Sequence, residues 1–128
     1  MPQIDYEAFA QRFVAAIQAG DAEAVRAFYA PDAKIWHNID HIEQTVDQNL
    51  KSLAWFVRVL PDRTYRVQRI APLADGFLQQ HVLEATLPNG ERWAMDACVV
   101  VRVENGKITR LDEYLDSAKT AQLVAATR

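Results

Sequence analysis

Apolar residues near the start of the chain recur at helical intervals: Ile4, Phe9, Phe13, Val14 and Ile17. That spacing predicts an amphipathic helix, with Asp5 as its cap and Gly20 as its stop. Asp21 caps a second, short helix through Ala24, Val25 and Phe28, ending near Tyr29 and Pro31. The stretch Lys34–Asn38 reads as a short strand. Asp40 followed by Glu43 has the capping-box pattern, in which each side chain satisfies an orphan amide. The helix it opens carries Ile42, Val46, Leu50, Leu53, Val57 and Leu60 on one stripe and ends at Pro61. A stripe of this kind must lie on an apolar surface.

The second half changes period. The pairs Asp75-Gly76, Asn89-Gly90 and Asn105-Gly106 are turn signals, because such residues tolerate the positive φ of tight hairpins. Between them lie β-rich runs, Arg63–Ala74, Phe77–Pro88, Glu91–Glu104 and Lys107–Leu115, which predict a four-strand antiparallel meander. Asp116 caps a last helical piece, Ser117–Ala126. Helices followed by a curved antiparallel sheet make an α+β pattern.

Composition narrows the classes. At 128 residues the chain fits one domain, 1–128, and its 50% hydrophobic content suffices for a core. The net charge of -3 is spread over mixed signs, so nucleic acid is not an expected partner, since phosphate binding needs a concentrated basic surface. No run of 18 apolar residues predicts a membrane span. The start, MPQIDYEAF, has no basic region followed by an apolar one, so no signal peptide and a cytoplasmic location are expected. The single cysteine, Cys98, permits neither an internal disulfide nor a multi-cysteine zinc site. With only His37, His41 and His81 available and no ligand spacing among them, no metal and no cofactor are expected.

Three stretches, AGDAEAVRAFYAPDAKIWHN, the LPNGE hairpin and VVVRVENGKITRLDEYLD, resemble the nuclear transport factor 2-like superfamily. The resemblance spans essentially the whole chain and is nearest to its ketosteroid isomerase and polyketide-cyclase (SnoaL-like) groups, with limonene epoxide hydrolase as a cousin. It implies a cone-shaped curved antiparallel sheet wrapped around the N-terminal helices, an α+β roll with a pocket between. The fold hosts isomerases, cyclases, dehydratases, hydrolases and binding proteins, so activity must be argued from the site.

Side chains alternate faces along a strand. Counting across Asn89-Gly90 as a two-residue turn puts Gln80, Val82 and Glu84 on one face with Met95, Ala97 and Val99. The other face then holds Gln79, His81 and Leu83 with Asp96, Cys98 and Val100. The first set is the more apolar, as a pocket wall should be. The resemblance chooses the same face and adds Leu111, Glu113 and Leu115. Simple counting across Asn105-Gly106 would pair Glu113 with Cys98, so one β-bulge between Val99 and Glu104 is needed. Without it, Gln79, His81, Asp96, Cys98 and Glu113 line the pocket instead.

The resemblance places His37 where the isomerases keep a catalytic base, with Ile35 on the same face and Trp36 and Asn38 pointing away. An imidazole with an ordinary pKa of about 6.5 exchanges protons near neutral pH. The plainer alternative is a histidine hydrogen-bonding at the pocket rim. Glu113 falls at or near an acid of the epoxide hydrolases and would orient His37 or act beside it. Its plainer alternative is a rim carboxylate in water or in an arginine salt bridge. Tyr29 matches a supporting tyrosine of the isomerases, and a core aromatic is the competing role. Gln80 and Glu84 would bind substrate oxygen or sit at the open edge. Cys98 reads as a small core or interface residue, and Trp36, Trp55 and Trp93 as packing residues.

Two departures limit the transfer. The isomerases hold a dienolate with a tyrosine and a protonated aspartate; the matching positions here are Phe13 and Val99. The epoxide hydrolase arginine and two aspartates match Gln80, Val82 and Glu113. What remains is a small-molecule enzyme using His37 and Glu113 for acid-base chemistry, of isomerase, cyclase or dehydratase type, on an apolar and cyclic substrate. A non-catalytic binding domain and an epoxide hydrolase-like enzyme are the alternatives. A sheet with apolar positions on both faces also predicts a homodimer.

Overall fold

The computed structural model describes residues 4–128. In chain order they form α1 (Tyr6–Ala19), α2 (Ala22–Arg26), β1 (Tyr29–His37), β2 (Glu43–Gln44) and α3 (Val46–Val59). Then come β3 (Thr64–Leu73), β4 (Gly76–Thr86), β5 (Arg92–Glu104), β6 (Lys107–Leu115) and α4 (Ser117–Ala126). The helix caps are those the sequence predicts in three cases. Asp5 accepts from the Ala8 amide, Asp21 from Ala24, and Asp116 from Ala118 and Lys119. Gly20 ends α1 at φ 70°, a left-handed conformation that a side chain disfavours.

Two local expectations are corrected. α3 is opened by Thr45 and Gln48, which form the capping box, and not by Asp40 and Glu43. Asp40 instead closes a turn on the Ile42 amide, and Glu43–Gln44 pair as β2 with Trp36 and Ile35. T-x-x-Q satisfies the same two amides as D-x-x-E, and the strand pairing claims Glu43 first. β1 also starts earlier than Lys34, at Tyr29, and contains Pro31. The register shift between Tyr29 and Lys34 frees the proline from a ladder bond it cannot donate.

The six strands make one curved sheet in the order β2-β1-β6-β5-β4-β3. β3 to β6 are the expected antiparallel meander. The sheet as a whole is mixed, because β1 lies parallel to β6. The class is α+β, with α1, α2 and α3 on the inner face. Phe9 and Phe13 of α1, Leu50 and Leu53 of α3, and Phe77, Val99, Val101 and Ile108 of the sheet form the main core. Its rings meet edge-on, with Phe9–Phe28 and Phe13–Phe28 centroids 5.4 Å apart. A second cluster, including Leu60, Leu83, Met95, Trp93 and Leu123, seats α4, and Trp93 Nε1 donates to the Lys119 carbonyl at 3.0 Å.

One clamp closes the end of α1 against β3. Arg63 is buried and donates from Nη2 to the Gln18 carbonyl at 2.9 Å, satisfying a helix-end acceptor. Gln18 returns the bond from Nε2 to the Arg63 carbonyl and accepts from the Tyr65 amide at 2.7 Å. These bonds hold Tyr65 at the edge of the cavity described next.

Candidate active site

The turn chemistry sets which side chains face inward. At Leu87–Glu91 the chain makes a three-residue connection: the Gly90 amide bonds to the Leu87 carbonyl and the Leu87 amide to the Glu91 carbonyl, both at 2.8 Å. Pro88 presets φ at the second position of this turn and Gly90 supplies the positive φ of 91°. β4 and β5 therefore pair Gln79 with Val99 and His81 with Ala97, one residue away from the two-residue count. Since a one-residue slip exchanges faces, Gln79 and His81 point into the protein. Gln80, Val82 and Glu84, expected to line the pocket, lie on the opposite face. Glu84 pairs there with Arg66, and Gln80 borders an outer depression.

Asn105-Gly106 behaves as counted, with both residues at positive φ and Glu104 opposite Lys107. A bulge interrupts the register between Arg102 and Val103, within the expected span, but its extra residue is in β6 and not in β5. Arg102 pairs with Arg110 but Val103 with Ile108, leaving Thr109 as the extra residue, and Glu113 comes opposite Val99. The alternative set of His81, Asp96 and Cys98 is split by this register. His81 lines the inner cavity, while Asp96 and Cys98 are on the outer face with Gln80.

The inner cavity has a volume of about 110 Å³. Phe13, Tyr29, Ile35, Val99 and Leu111 line it as expected, together with His37 and Glu113. Met95 and Leu115 do not; both pack in the second cluster. Ala97 is buried between His81 and Leu115 in the sheet, outside the cavity lining. Residues not anticipated are Val14 and Ile17 of α1, Val25 of α2, Asn49, Ser52, Leu53 and Phe56 of α3 and Tyr65 of β3. The α3 set follows its apolar stripe to the neighbouring polar positions. Gln79 and His81 of the alternative set face the cavity because of the Pro88 turn, with the bulge present.

β1 and β6 pair His37 with Glu113, and the His37 Nε2 lies 2.9 Å from Glu113 Oε1. Their side chains are 17% and 23% exposed. Asn38 holds this junction in register. Its amide donates to the Glu113 carbonyl, its Nδ2 to the Leu115 carbonyl at 3.1 Å, and its Oδ1 accepts from the Leu115 amide at 2.8 Å. The side chain thus continues the ladder where the backbone turns away.

Burial alone would lower the pKa of His37. The hydrogen bond and charge of Glu113, with a contribution from Asp40, outweigh it and hold the value above the ordinary imidazole range. Burial pushes the Glu113 carboxyl upward, but His37, and more weakly His81, bring it below its ordinary value. His81 is the opposite case: burial holds it below the ordinary range, against a small pull from Glu113. Burial and the nearby Glu113 raise the hydroxyl of Tyr29. The hydroxyl of Tyr65 rises for the same two reasons, with Arg63 opposing. One cavity thus holds an imidazole–carboxylate pair that favours its charged form, a second imidazole that favours its neutral form and two phenols that resist ionisation. Among the described residues no group of three or more His, Cys, Asp or Glu side chains is placed to hold a metal ion.

A helical layer inside a curved sheet, with a cavity at their junction, defines the nuclear transport factor 2-like class. The chain belongs to the SnoaL-like domain family, whose profile matches residues 10–111. None of the curated proteins compared matches it in sequence. Among solved structures it is similar to IdmH, a candidate polyketide cyclase of Streptomyces antibioticus, at 20% identity and TM-score 0.83, over 95% of this chain and 99% of that one. AclR, a candidate hydroxylase of Streptomyces galilaeus, has 18% identity and TM-score 0.82, over 96% and 85%. An NTF2-like protein of Burkholderia thailandensis has 18% identity and TM-score 0.81, over 96% and 98%. At these identities the likeness shows the fold.

Proposed function

We propose that this protein is a small-molecule enzyme that moves protons on an apolar, single-ring substrate. The observation that carries the reading is the 2.9 Å contact of His37 and Glu113 inside a mostly apolar cavity. Glu113 favours the charged form of His37, and the imidazolium is the acid of the cycle. It gives a proton to a substrate oxygen or carbon, becomes the neutral base, and recovers the proton in the return step. Glu113 fixes the ring through Nε2, which leaves Nδ1 for exchange. This division of labour resembles the orienting carboxylate of a hydrolase triad. The apolar wall excludes water and strengthens the pair. Isomerisation, cyclisation and dehydration all need this proton transfer.

Size supports a small substrate. A dry engineered cavity of about 150 Å³ takes one benzene ring, and the volume of about 110 Å³ here is of that order.

The experiment is hydrogen–deuterium exchange at the carbon next to the carbonyl, followed by NMR across single-ring ketones and hydroxyketones in D₂O. Exchange above buffer that falls at least about a hundredfold in His37→Ala, the lower range for a general acid or base, supports the proposal. Exchange unchanged in His37→Ala contradicts it. Binding without any exchange establishes a ligand carrier instead.

A further inference from the structure

The cavity has a second polar group that the His37–Glu113 chemistry does not use. Gln79 is 4% exposed and His81 is 5% exposed, and both line the cavity. Gln79 Nε2 and His81 Nδ1 are 3.1 Å apart. As the amide is assigned, Gln79 donates to Nδ1 and the hydrogen of His81 sits on Nε2. The other end of the amide, Oε1, is buried and has no hydrogen-bond partner among the described residues. Buried amide oxygens in native proteins are rarely left unsatisfied. An orphan acceptor beside an imidazole donor, in the wall of an otherwise apolar cavity, has the form of a ligand-reading pair.

We propose that Gln79 and His81 bind a hydroxyl or enol of a one-ring ligand. Gln79 Oε1 accepts its hydrogen, and His81 Nε2–H donates to its oxygen. A hydroxyl is the simplest group that both gives and takes a hydrogen bond. Turning the amide round moves the hydrogen of His81 to Nδ1 and leaves the Gln79 NH₂ and His81 Nε2 free. A hydroxyl satisfies that arrangement equally. Burial keeps His81 neutral, so the pair reads a neutral oxygen and does not select a carboxylate. Tyr65, whose ring lies 5.6 Å from the His81 ring, supports the imidazole from β3. The inference rests on the cavity being the substrate site and adds the group by which the substrate is recognised.

Phenol and toluene test this, because they differ by one hydroxyl in nearly the same volume. An apolar wall alone prefers toluene, since burying an unpaired hydroxyl is costly. The proposal predicts that the wild-type protein binds phenol at least about tenfold more tightly. It also predicts that phenol moves the ¹⁵N signals of His81. In Gln79→Met, of similar volume, the preference should reverse. Equal or toluene-favouring binding to the wild type overturns the proposal, and that comparison does not depend on any variant folding. If phenol moves the His37 signals and leaves those of His81 unchanged, the hydroxyl pair is wrong and the cavity reading survives. If neither probe reaches the cavity, both fail.

Discussion

Replacing Glu113 by glutamine keeps the shape of the side chain and removes its charge. At 2.9 Å from His37, the attraction is about 6 kcal/mol at an effective dielectric constant of about 20. Against it stands the loss of hydration of two partly buried charges, several kcal/mol per ion when burial is complete. The glutamine retains a neutral hydrogen bond of about 1 kcal/mol, where a charge-assisted one contributes about 1.5–3 kcal/mol. The difference expected for Glu113→Gln is therefore about 0.5–2 kcal/mol near pH 6. The sign with pH follows from the two shifts. The raised pKa of His37 makes its contribution complete below about 6.5 and lost as pH rises through the folded value. The lowered pKa of Glu113 makes its own contribution complete above the ordinary carboxyl range and lost as pH falls through the folded value. The penalty should thus be greatest at pH 5–6.5 (roughly the window between the two ordinary pKa values). It should fade as pH rises through the folded value of His37. Removal of the Glu113 charge also makes His81 harder to protonate, which acts in the same direction at low pH. Urea unfolding of both proteins across this range gives the difference directly. A penalty equal at both ends of the range, or growing with pH, would refute the ion pair.

Gly76→Ala places a Cβ 1.8 Å from the Val101 carbonyl oxygen, a backbone atom that cannot yield without parting the strands. The expected loss is about 3 kcal/mol, read as a shift in the urea midpoint; a neutral effect would mean β4 and β5 are less close. Asn38→Ala removes two bonds to the Leu115 backbone, with an expected cost of about 1–2 kcal/mol and a changed His37 NMR signal. An unmoved signal would show that Asn38 does not position His37. On the outer face Trp36 packs against His41 and Tyr114, and Tyr114 is 47% exposed. A second copy is expected to cover this face, so sedimentation should find a dimer at micromolar concentration, and a monomer would refute it.

The elements were legible because their periods are local. The apolar stripes of α1 and α3, three Asp caps and the strands of the meander are all written within a turn or two of chain. That Glu113 comes opposite Val99 was also within reach through a bulge, although its extra residue, Thr109, lies in β6 and not between Val99 and Glu104. The β4 wall was not. Asn89-Gly90 looks like Asn105-Gly106, but Pro88 converts the first into a three-residue connection, and one residue exchanges Gln80, Val82 and Glu84 for Gln79, His81 and Leu83. The contributions of Asn49, Ser52 and Phe56 depend on how α3 is rotated against the sheet, which is fixed by packing between distant residues and leaves no local signal. The parallel placement of β1 beside β6 was hidden for the same reason.

The most direct test of the account is an NMR titration of the imidazole nitrogens of His37 in the ligand-free protein and in Glu113→Gln. The account predicts a wild-type His37 that titrates above the ordinary imidazole value and a variant in which it falls, because burial is then opposed by less charge. A His37 that titrates like an imidazole in water, and does so in both proteins, would contradict the acid-base pair and with it the proposed function.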